Sequence, residues 1–318
     1  MVKFSVVVPV HNEQGNIIPL YREIKEAMSK LGTWEMIFVN DGSRDNSLKD
    51  LLSIKEPNVH VINLKTNYGQ AVALDAGLRH SKGEFVVTLD GDGQNDPKDI
   101  SRLYNKLIAE NLDVVAGWRK KRKDPMWMHF ITLWARILRG FLAKDKVHDS
   151  GCTLRVYRHE IIEDLELSGE MHRYIIAILG WKGAKVGELK VSHRARIRGK
   201  TNYTWKKSLK GTVDLIYIWF WKKYSGRPLH LFGVLGLFIT FLGFLSAIWT
   251  AYLKIVVGTS LSNSVWFVMS GFLILGGMLL FQFGIMFDLL IRTYYNTSAV
   301  EKRYTVLHTY TAGKKSQR

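Results

Sequence analysis

The chain has 318 residues, 47% of them hydrophobic, with 45 Lys and Arg against 28 Asp and Glu and a formal net charge of +17. That length allows one core of ordinary size plus a smaller second unit, and the basic excess calls for an anionic partner: nucleic acid, a phosphorylated substrate or a membrane surface. Cys152 is the single cysteine, which excludes an intrachain disulfide and a cysteine-cluster metal site.

The N-terminus enters a strand almost at once, so no signal peptide is expected. Strands are predicted at Phe4–Val10, Glu35–Asn40, Val59–Leu64, Glu84–Leu89 and Asp113–Ala116, with a further one at Thr153–Arg158. Helices are predicted between them, near Asn16–Lys30, Ser47–Ile54, Gly69–Ser81 and Pro97–Glu110. Mostly apolar strands alternating with helices imply a mostly parallel α/β sheet covered on both faces, whose ligands bind at the strand C-terminal ends. Polar residues sit at three of those ends: His11-Asn12-Glu13, Asp41-Gly42-Ser43, and Asp90 with Asp92.

A basic linker follows at residues 117–125, and then two apolar stretches in which basic residues are interleaved, Met126–Ala143 and Trp205–Tyr224. Both are expected to lie in a membrane interface rather than to span it. Leu229–Leu253 and Val265–Phe287 contain no Asp, Glu, Lys or Arg, and each is long enough to cross a hydrocarbon core of about 30 Å. Lys222, Lys223 and Arg227 precede the first span, and Arg292, Lys302 and Arg303 follow the second. The positive-inside rule therefore puts both ends in the cytosol. The expected organisation is a catalytic domain over residues 1–227, a transmembrane hairpin over 228–290 and a basic cytosolic tail over 291–318, its last residues without fixed structure.

The chemistry centres on Asp90-Gly91-Asp92-Gly93-Gln94. Two carboxylates one residue apart at a strand end suit a hard divalent cation, Mg²⁺ or Mn²⁺, with positions left open for substrate phosphates. Such a cation would ease the departure of a nucleoside diphosphate. Asp41 stands where a bound base can reach it, and its carboxylate accepts the ring N–H of uracil or guanine alike. Pro9, Asn12 and Glu13 are expected to shape the same pocket.

Taken together, Val6-Val7-Val8-Pro9-Val10-His11-Asn12-Glu13, Asn40-Asp41-Gly42-Ser43, Asn67-Tyr68-Gly69-Gln70 and the Asp90–Gln94 cluster resemble family 2 inverting glycosyltransferases of GT-A (Rossmann-like) fold. Asp149-Ser150-Gly151-Cys152-Thr153-Leu154-Arg155, Gly169-Glu170-Met171-His172-Arg173-Tyr174 and Arg227-Pro228-Leu229-His230 narrow the resemblance to polyprenyl-phosphate glycosyltransferases, the group around dolichol-phosphate mannose synthase. The resemblance implies a metal site of Asp90, Asp92 and Gln94. It gives Asp41 to the base and Arg119 to the phosphates or the acceptor. The expected donor-nucleotide contacts are Pro9, Asn12, Glu13, Asp41, Gln70 and Asp90, with Asp92, Asp149 and Arg119 at the catalytic centre. Asp149 lies between the expected interface helix and the strand at Thr153–Arg158, where it would either take a proton from a monoprotonated acceptor phosphate or orient Arg and Lys around it; the alternative is a plain turn residue. Arg119, Arg196, Arg198 and Lys200 are then the acceptor-phosphate set. Two positions depart from the family pattern. Thr201-Asn202-Tyr203 replaces the usual Ser-Lys-Tyr, a loss that Arg198 or Lys200 would make good, and Gly91 replaces a common alanine.

The acceptor implied is a phosphate monoester, largely ionised at neutral pH, so the site needs positioned cations more than a strong base. No Gln-x-x-Arg-Trp sequence of processive synthases occurs. The expected activity is the transfer of a single hexose from a UDP- or GDP-sugar to polyprenyl phosphate, on the cytosolic face of a prokaryotic inner membrane. A homo-oligomer is compatible with the resemblance. The competing readings are another lipid acceptor, a non-catalytic membrane scaffold, and a nucleic-acid binder. The last is disfavoured because the basic residues flank membrane segments.

Overall fold

A computed structural model of the chain describes residues 2–119, 147–167, 169, 171–194, 219–220, 223–224, 228–258, 264–296, 306–312 and 314–315. Met1–Leu215 with Lys302–Arg318 form one compact unit, and Ile216–Glu301 form another. The two expected interface stretches lie outside the described residues, apart from Trp219, Phe220, Lys223 and Tyr224.

Among the described residues the first unit contains nine strands: β1 (Phe4–Val10), β2 (Trp34–Asn40), β3 (Val59–Leu64), β4 (Phe85–Thr88), β5 (Val114–Trp118), β6 (Arg155–Arg158), β7 (Val186–Lys190), β8 (Val306–Thr311) and β9 (Lys314–Lys315). They form one sheet in the order β7-β5-β6-β4-β1-β2-β3-β8-β9. β1 to β4 pair in parallel, as does β5 with β7, whereas β6 and β8 run against their neighbours. The sheet is thus mixed. β1 bonds β2 on one side and β4 on the other. The chain moves outward from β1 to β3 and then crosses back to β4, so the crevice beyond the C-terminal ends of β1 and β4 is the topological switch point where open α/β sheets bind ligands.

Alternation along the strands feeds two cores. Val6, Val8 and Val10 join the core under α1 (Ile17–Met28), α2 (Ser47–Ser53) and α4 (Asp99–Ala109), while Val7, Ile37 and Val39 join the core under α3 (Gln70–His80) and α5 (Ile175–Trp181). In α1 the buried residues Ile17, Leu20, Tyr21, Ile24 and Met28 recur at helical spacing, the stripe that makes it a helix against the sheet. Fully burying one such aliphatic side chain contributes about 1.5–3 kcal/mol. Helix α3 approaches the sheet closely: a Cβ on Gly77 would lie 2.3 Å from Val7 Cγ1.

The tail differs from its expectation. Val306–Thr311 is a strand paired antiparallel with β3, and Lys314–Lys315 pairs back onto it. The run Val-Leu-His-Thr-Tyr-Thr is rich in strand formers, and the edge of β3 offers it a bare row of backbone donors and acceptors.

In the second unit, α6 (Pro228–Tyr252) runs on into a π-helical turn, Leu253–Val257, and α7 spans Val265–Asn296. Pro228–Val257 and Val265–Ile291 are long and apolar enough to cross a membrane, and most of their surface is not covered by protein. The helices meet through small residues. A Cβ on Gly236 would lie 2.6 Å from Gly277 O, and one on Gly277 2.3 Å from Thr240 Oγ1. Such closeness replaces the hydrophobic effect, which is weak between helices in lipid. Thr240 and Thr250 donate their hydroxyls to carbonyls one turn back, at 2.8 and 2.7 Å, so neither presents an unmet donor to hydrocarbon.

Candidate active site

Beyond the ends of β1 and β4 lies a cavity of about 270 Å³, lined among others by Pro9, His11, Glu13, Asp41, Asn67, Gln70, Asp90 and Asp92. Five of the six predicted donor residues line it. The exception is Asn12, which has φ 57°. Its Oδ1 accepts the Arg44 N–H at 2.8 Å and its own N–H donates to Ser43 Oγ at 3.1 Å. Asn12 is the pin between two loops, a left-handed position that Asn tolerates.

The base end is built around Asp41. Its carboxylate accepts the N–H groups of Tyr68 and Gly69 at 2.7 and 2.9 Å, and its backbone carbonyl lies 2.7 Å from His11 Nδ1, which fixes Nδ1 as the protonated ring nitrogen. Burial pushes the Asp41 carboxyl above its usual pKa, against the pull of those two N–H groups and of His11. The neighbouring Gly42 has φ 60°, and a Cβ there would sit 2.5 Å from the Thr66 carbonyl carbon, so only glycine fits. Asn67 Nδ2 lies 3.0 Å from the His11 ring. His11 and Asn67 were not in the predicted set. Their signal was position, since each follows a strand in the parallel part of the sheet.

The acidic cluster follows β4. Gln70, at the start of α3, donates Nε2–H to Asp90 Oδ1 at 2.7 Å. Burial first, and then the like charge of Asp92, push the Asp90 carboxyl up to about 6; Thr153, Arg119 and Arg155 offset part of this. The Gln94 backbone N–H donates to Asp92 Oδ1 at 3.1 Å, while its side-chain Nε2 lies 3.5 Å from Arg194 O. The Gln94 side-chain nitrogen thus faces the backbone carbonyl of Arg194. Among the described residues no cluster of three His, Cys, Asp or Glu is placed to hold a metal. The set that is present, two crowded carboxylates opening on a cavity, suits a hard cation that completes its coordination with water and substrate oxygens.

Arg119, just beyond β5, meets Asp149 in a two-pronged ion pair: Nε to Oδ2 at 2.7 Å and Nη2 to Oδ1 at 3.0 Å. Both side chains are largely buried. Burial works against the guanidinium charge, but the Asp149 hydrogen bonds and charge outweigh it and push the Arg119 pKa above its usual value. Gly151 makes room for the pair, since a Cβ there would come within 3.2 Å of Nη2. Arg155 is 2% exposed, with its guanidinium on carbonyl oxygens. Sequence reasoning quoted Arg155 within a motif but gave it no role. Arg196, Arg198 and Lys200, predicted for the acceptor phosphate, lie outside the described residues.

Residues 5–166 match Glycosyl transferase family 2. The chain is 34% identical over 304 residues to dodecaprenyl-phosphate galacturonate synthase of Rhizobium johnstonii, covering 93% of this chain and 90% of that protein. It is 31% identical over 300 residues to undecaprenyl-phosphate 4-deoxy-4-formamido-L-arabinose transferase of Pseudomonas aeruginosa, covering 93% and 87%. In structure it is similar to glucosyl-3-phosphoglycerate synthase from Mycobacterium tuberculosis, solved with Mn²⁺, uridine diphosphate and glucosyl-3-phosphoglycerate. That match has a TM-score of 0.55 at 18% identity, over 69% of this chain and 80% of the other. The likeness establishes the GT-A-type fold, and the sequence matches with it establish that the chain belongs to glycosyl transferase family 2.

Proposed function

We propose that this protein transfers one hexose from a UDP- or GDP-sugar to a polyprenyl phosphate at the cytosolic face of a prokaryotic inner membrane, with inversion at the anomeric carbon. Two relatives named for polyprenyl-phosphate sugar transfer align along 93% of the chain, and the two apolar helices suit an acceptor that resides in lipid. The observation that carries the reading is the convergence of an acidic pair and a fixed cation. Asp90 with Asp92 and Arg119 with Asp149 lie near enough that the Arg119 charge acts on Asp90.

Asp90 and Asp92 would hold Mg²⁺ or Mn²⁺, which supplies charge neutralisation for the departing diphosphate. Asp41, His11 and Asn67 surround the base end of the cavity, and Gln70 orients Asp90. Arg119 takes the acceptor phosphate: among the described residues, Asp149 occupies Nε and Nη2 and leaves the Nη1 donors for a ligand. An acceptor phosphate oxygen attacks the anomeric carbon and forms the new C–O bond. The bond from that carbon to the nucleoside diphosphate breaks, and its electron pair leaves with the diphosphate. No proton need be removed from an acceptor already ionised.

The test is incubation of the purified full-length protein with a panel of UDP- and GDP-sugars, with polyprenyl phosphate or diacylglycerol as acceptor, in Mn²⁺, Mg²⁺ or EDTA. Product on polyprenyl phosphate alone, lost in EDTA, is the expected result. Transfer to diacylglycerol only would replace the acceptor assignment, and absence of any product would return the chain to the scaffold reading.

A further inference from the structure

Residues 148–152 form the turn that carries Asp149, and two side chains outside the predicted set grip it from opposite sides. From β7, Glu188 Oε1 accepts the backbone N–H groups of His148 and Asp149 at 2.9 and 3.0 Å. From β6, Arg155 donates Nη2–H to Ser150 O at 2.6 Å and Nε–H to Cys152 O at 2.7 Å. One anion thus takes the N–H groups at the start of the turn, and one cation takes the carbonyls at its end. A third tie joins the turn to the strand that leads to Arg119: the His148 imidazole stacks on Trp118 with centroids 4.3 Å apart, and its Nδ1 lies 2.7 Å from Glu188 Oε2.

A buried guanidinium is a poor choice for stability alone. Arg155 sits in register between Thr88 of β4 and Ala116 of β5, a position where an apolar side chain would pack without desolvation cost. Among the described residues no carboxylate lies within ion-pair distance of it. What Arg155 supplies is a rigid, planar fork able to hold two carbonyls at fixed spacing, which neither lysine nor an apolar residue reproduces. Geometry at this turn matters because Asp149 aims Arg119, and a misplacement of about 1 Å in a positioning group can cost ~100-fold in rate.

We propose that Glu188 and Arg155 are positioning residues for the acceptor end of the site, acting through Asp149 to hold Arg119 in line with the incoming phosphate. This rests on the acceptor role given to Arg119 above. The test uses full-length protein in detergent and two calorimetric probes: farnesyl phosphate for the acceptor end, and UDP or GDP with Mn²⁺ for the donor end. Glu188→Ala and Arg155→Lys are each expected to weaken farnesyl phosphate about tenfold while nucleotide affinity moves less than about twofold. Glu188→Gln keeps an oxygen that can accept both N–H groups, so its farnesyl phosphate affinity should stay within about threefold of wild type. Asp149→Ala should lose the acceptor probe by itself, and adding Glu188→Ala to it should change little, since coupled residues are non-additive. If Asp149→Ala loses the probe and Glu188→Ala does not, the positioning role is overturned while the acceptor reading survives. If Asp149→Ala binds farnesyl phosphate as wild type does, the acceptor reading falls and takes the proposal with it. Equal loss of both probes in Glu188→Ala would mark general structural support and also overturn the proposal.

Discussion

Gln70 Nε2 lies 2.7 Å from Asp90 Oδ1, so the first residue of α3 orients the first carboxylate of the acidic pair. Partners of this kind typically change metal affinity by about 10–100-fold when removed. Gln70→Ala should therefore shift the Mn²⁺ dependence of transfer about tenfold to higher concentration, with most of the rate recovered at saturating metal. A rate that stays low at saturating Mn²⁺ would place Gln70 on the sugar nucleotide instead.

The raised pKa of Asp90 carries a stability consequence in the metal-free protein. Its folded value is about 6 against an ordinary 3.8. Protonated Asp90 contributes stability that is fully present below about pH 4 and is lost as pH rises through 6. Asp90→Asn should remove the penalty at pH 7.5 and raise the stability of the metal-free protein by roughly 1–2 kcal/mol, after discounting for solvent screening of a half-buried group. Thermal unfolding in detergent with EDTA should show the variant melting higher at pH 7.5 and level with wild type near pH 4. Adding Mn²⁺ and nucleotide should reverse the order at pH 7.5, because the variant lacks one of the two carboxylates proposed to hold the metal.

The parallel half of the sheet was legible because each strand there is an uninterrupted apolar run followed by a polar turn. Phe4–Val10 and Val59–Leu64 fall on their predicted bounds, and the helices of this half differ from theirs by at most two residues at either end. That Asp90, Asp92 and Asp41 line one cavity was legible for the same reason, as polar residues at strand ends. Other features were not. β7 is a half-buried edge strand with no strong alternation, so Glu188 had no context. Arg155 reads as an ordinary charge until its burial is known. The role of Asn12 depends on a left-handed backbone and on contacts with residues 43 and 44, which no local pattern records.

The fork between Arg119 and Asp149 bears on how Asp149 contributes. A carboxylate whose two oxygens both accept from a guanidinium is better placed to orient that guanidinium than to take a proton from substrate. Asp149→Asn should lower transfer by on the order of 10–100-fold, as expected for loss of a charge-assisted pair, and by the same factor at pH 6 and pH 8. Recovery of the variant toward pH 8 would instead identify Asp149 as a base acting on the monoprotonated acceptor.

The strand formed by Val306–Thr311 gives the tail a structural task. Its register against β3 shifts between Asn63 and Leu64, so the alternation of side chains reverses within the strand. Tyr310, opposite Val61, packs on one core, and Val306, opposite Leu64, packs on the other. A second tie joins the strands at the opposite end, where His60 Nδ1 lies 3.0 Å from Thr311 Oγ1. Removing residues 304–318 would uncover both apolar contacts and leave the backbone groups along the β3 edge unpaired, an invitation to strand-to-strand aggregation. The deletion should lower the thermal midpoint of the catalytic unit in detergent by about 5–10 °C, the shift expected for a few kcal/mol in a unit of this size. The paired substitution Val306→Ser with Tyr310→Ser keeps the strand's length but removes its packing, and should produce about half of that shift if burial rather than backbone pairing dominates. Midpoints within 1 °C of wild type for both variants, a margin below about 0.5 kcal/mol here, would mean that the added strand contributes nothing to the sheet.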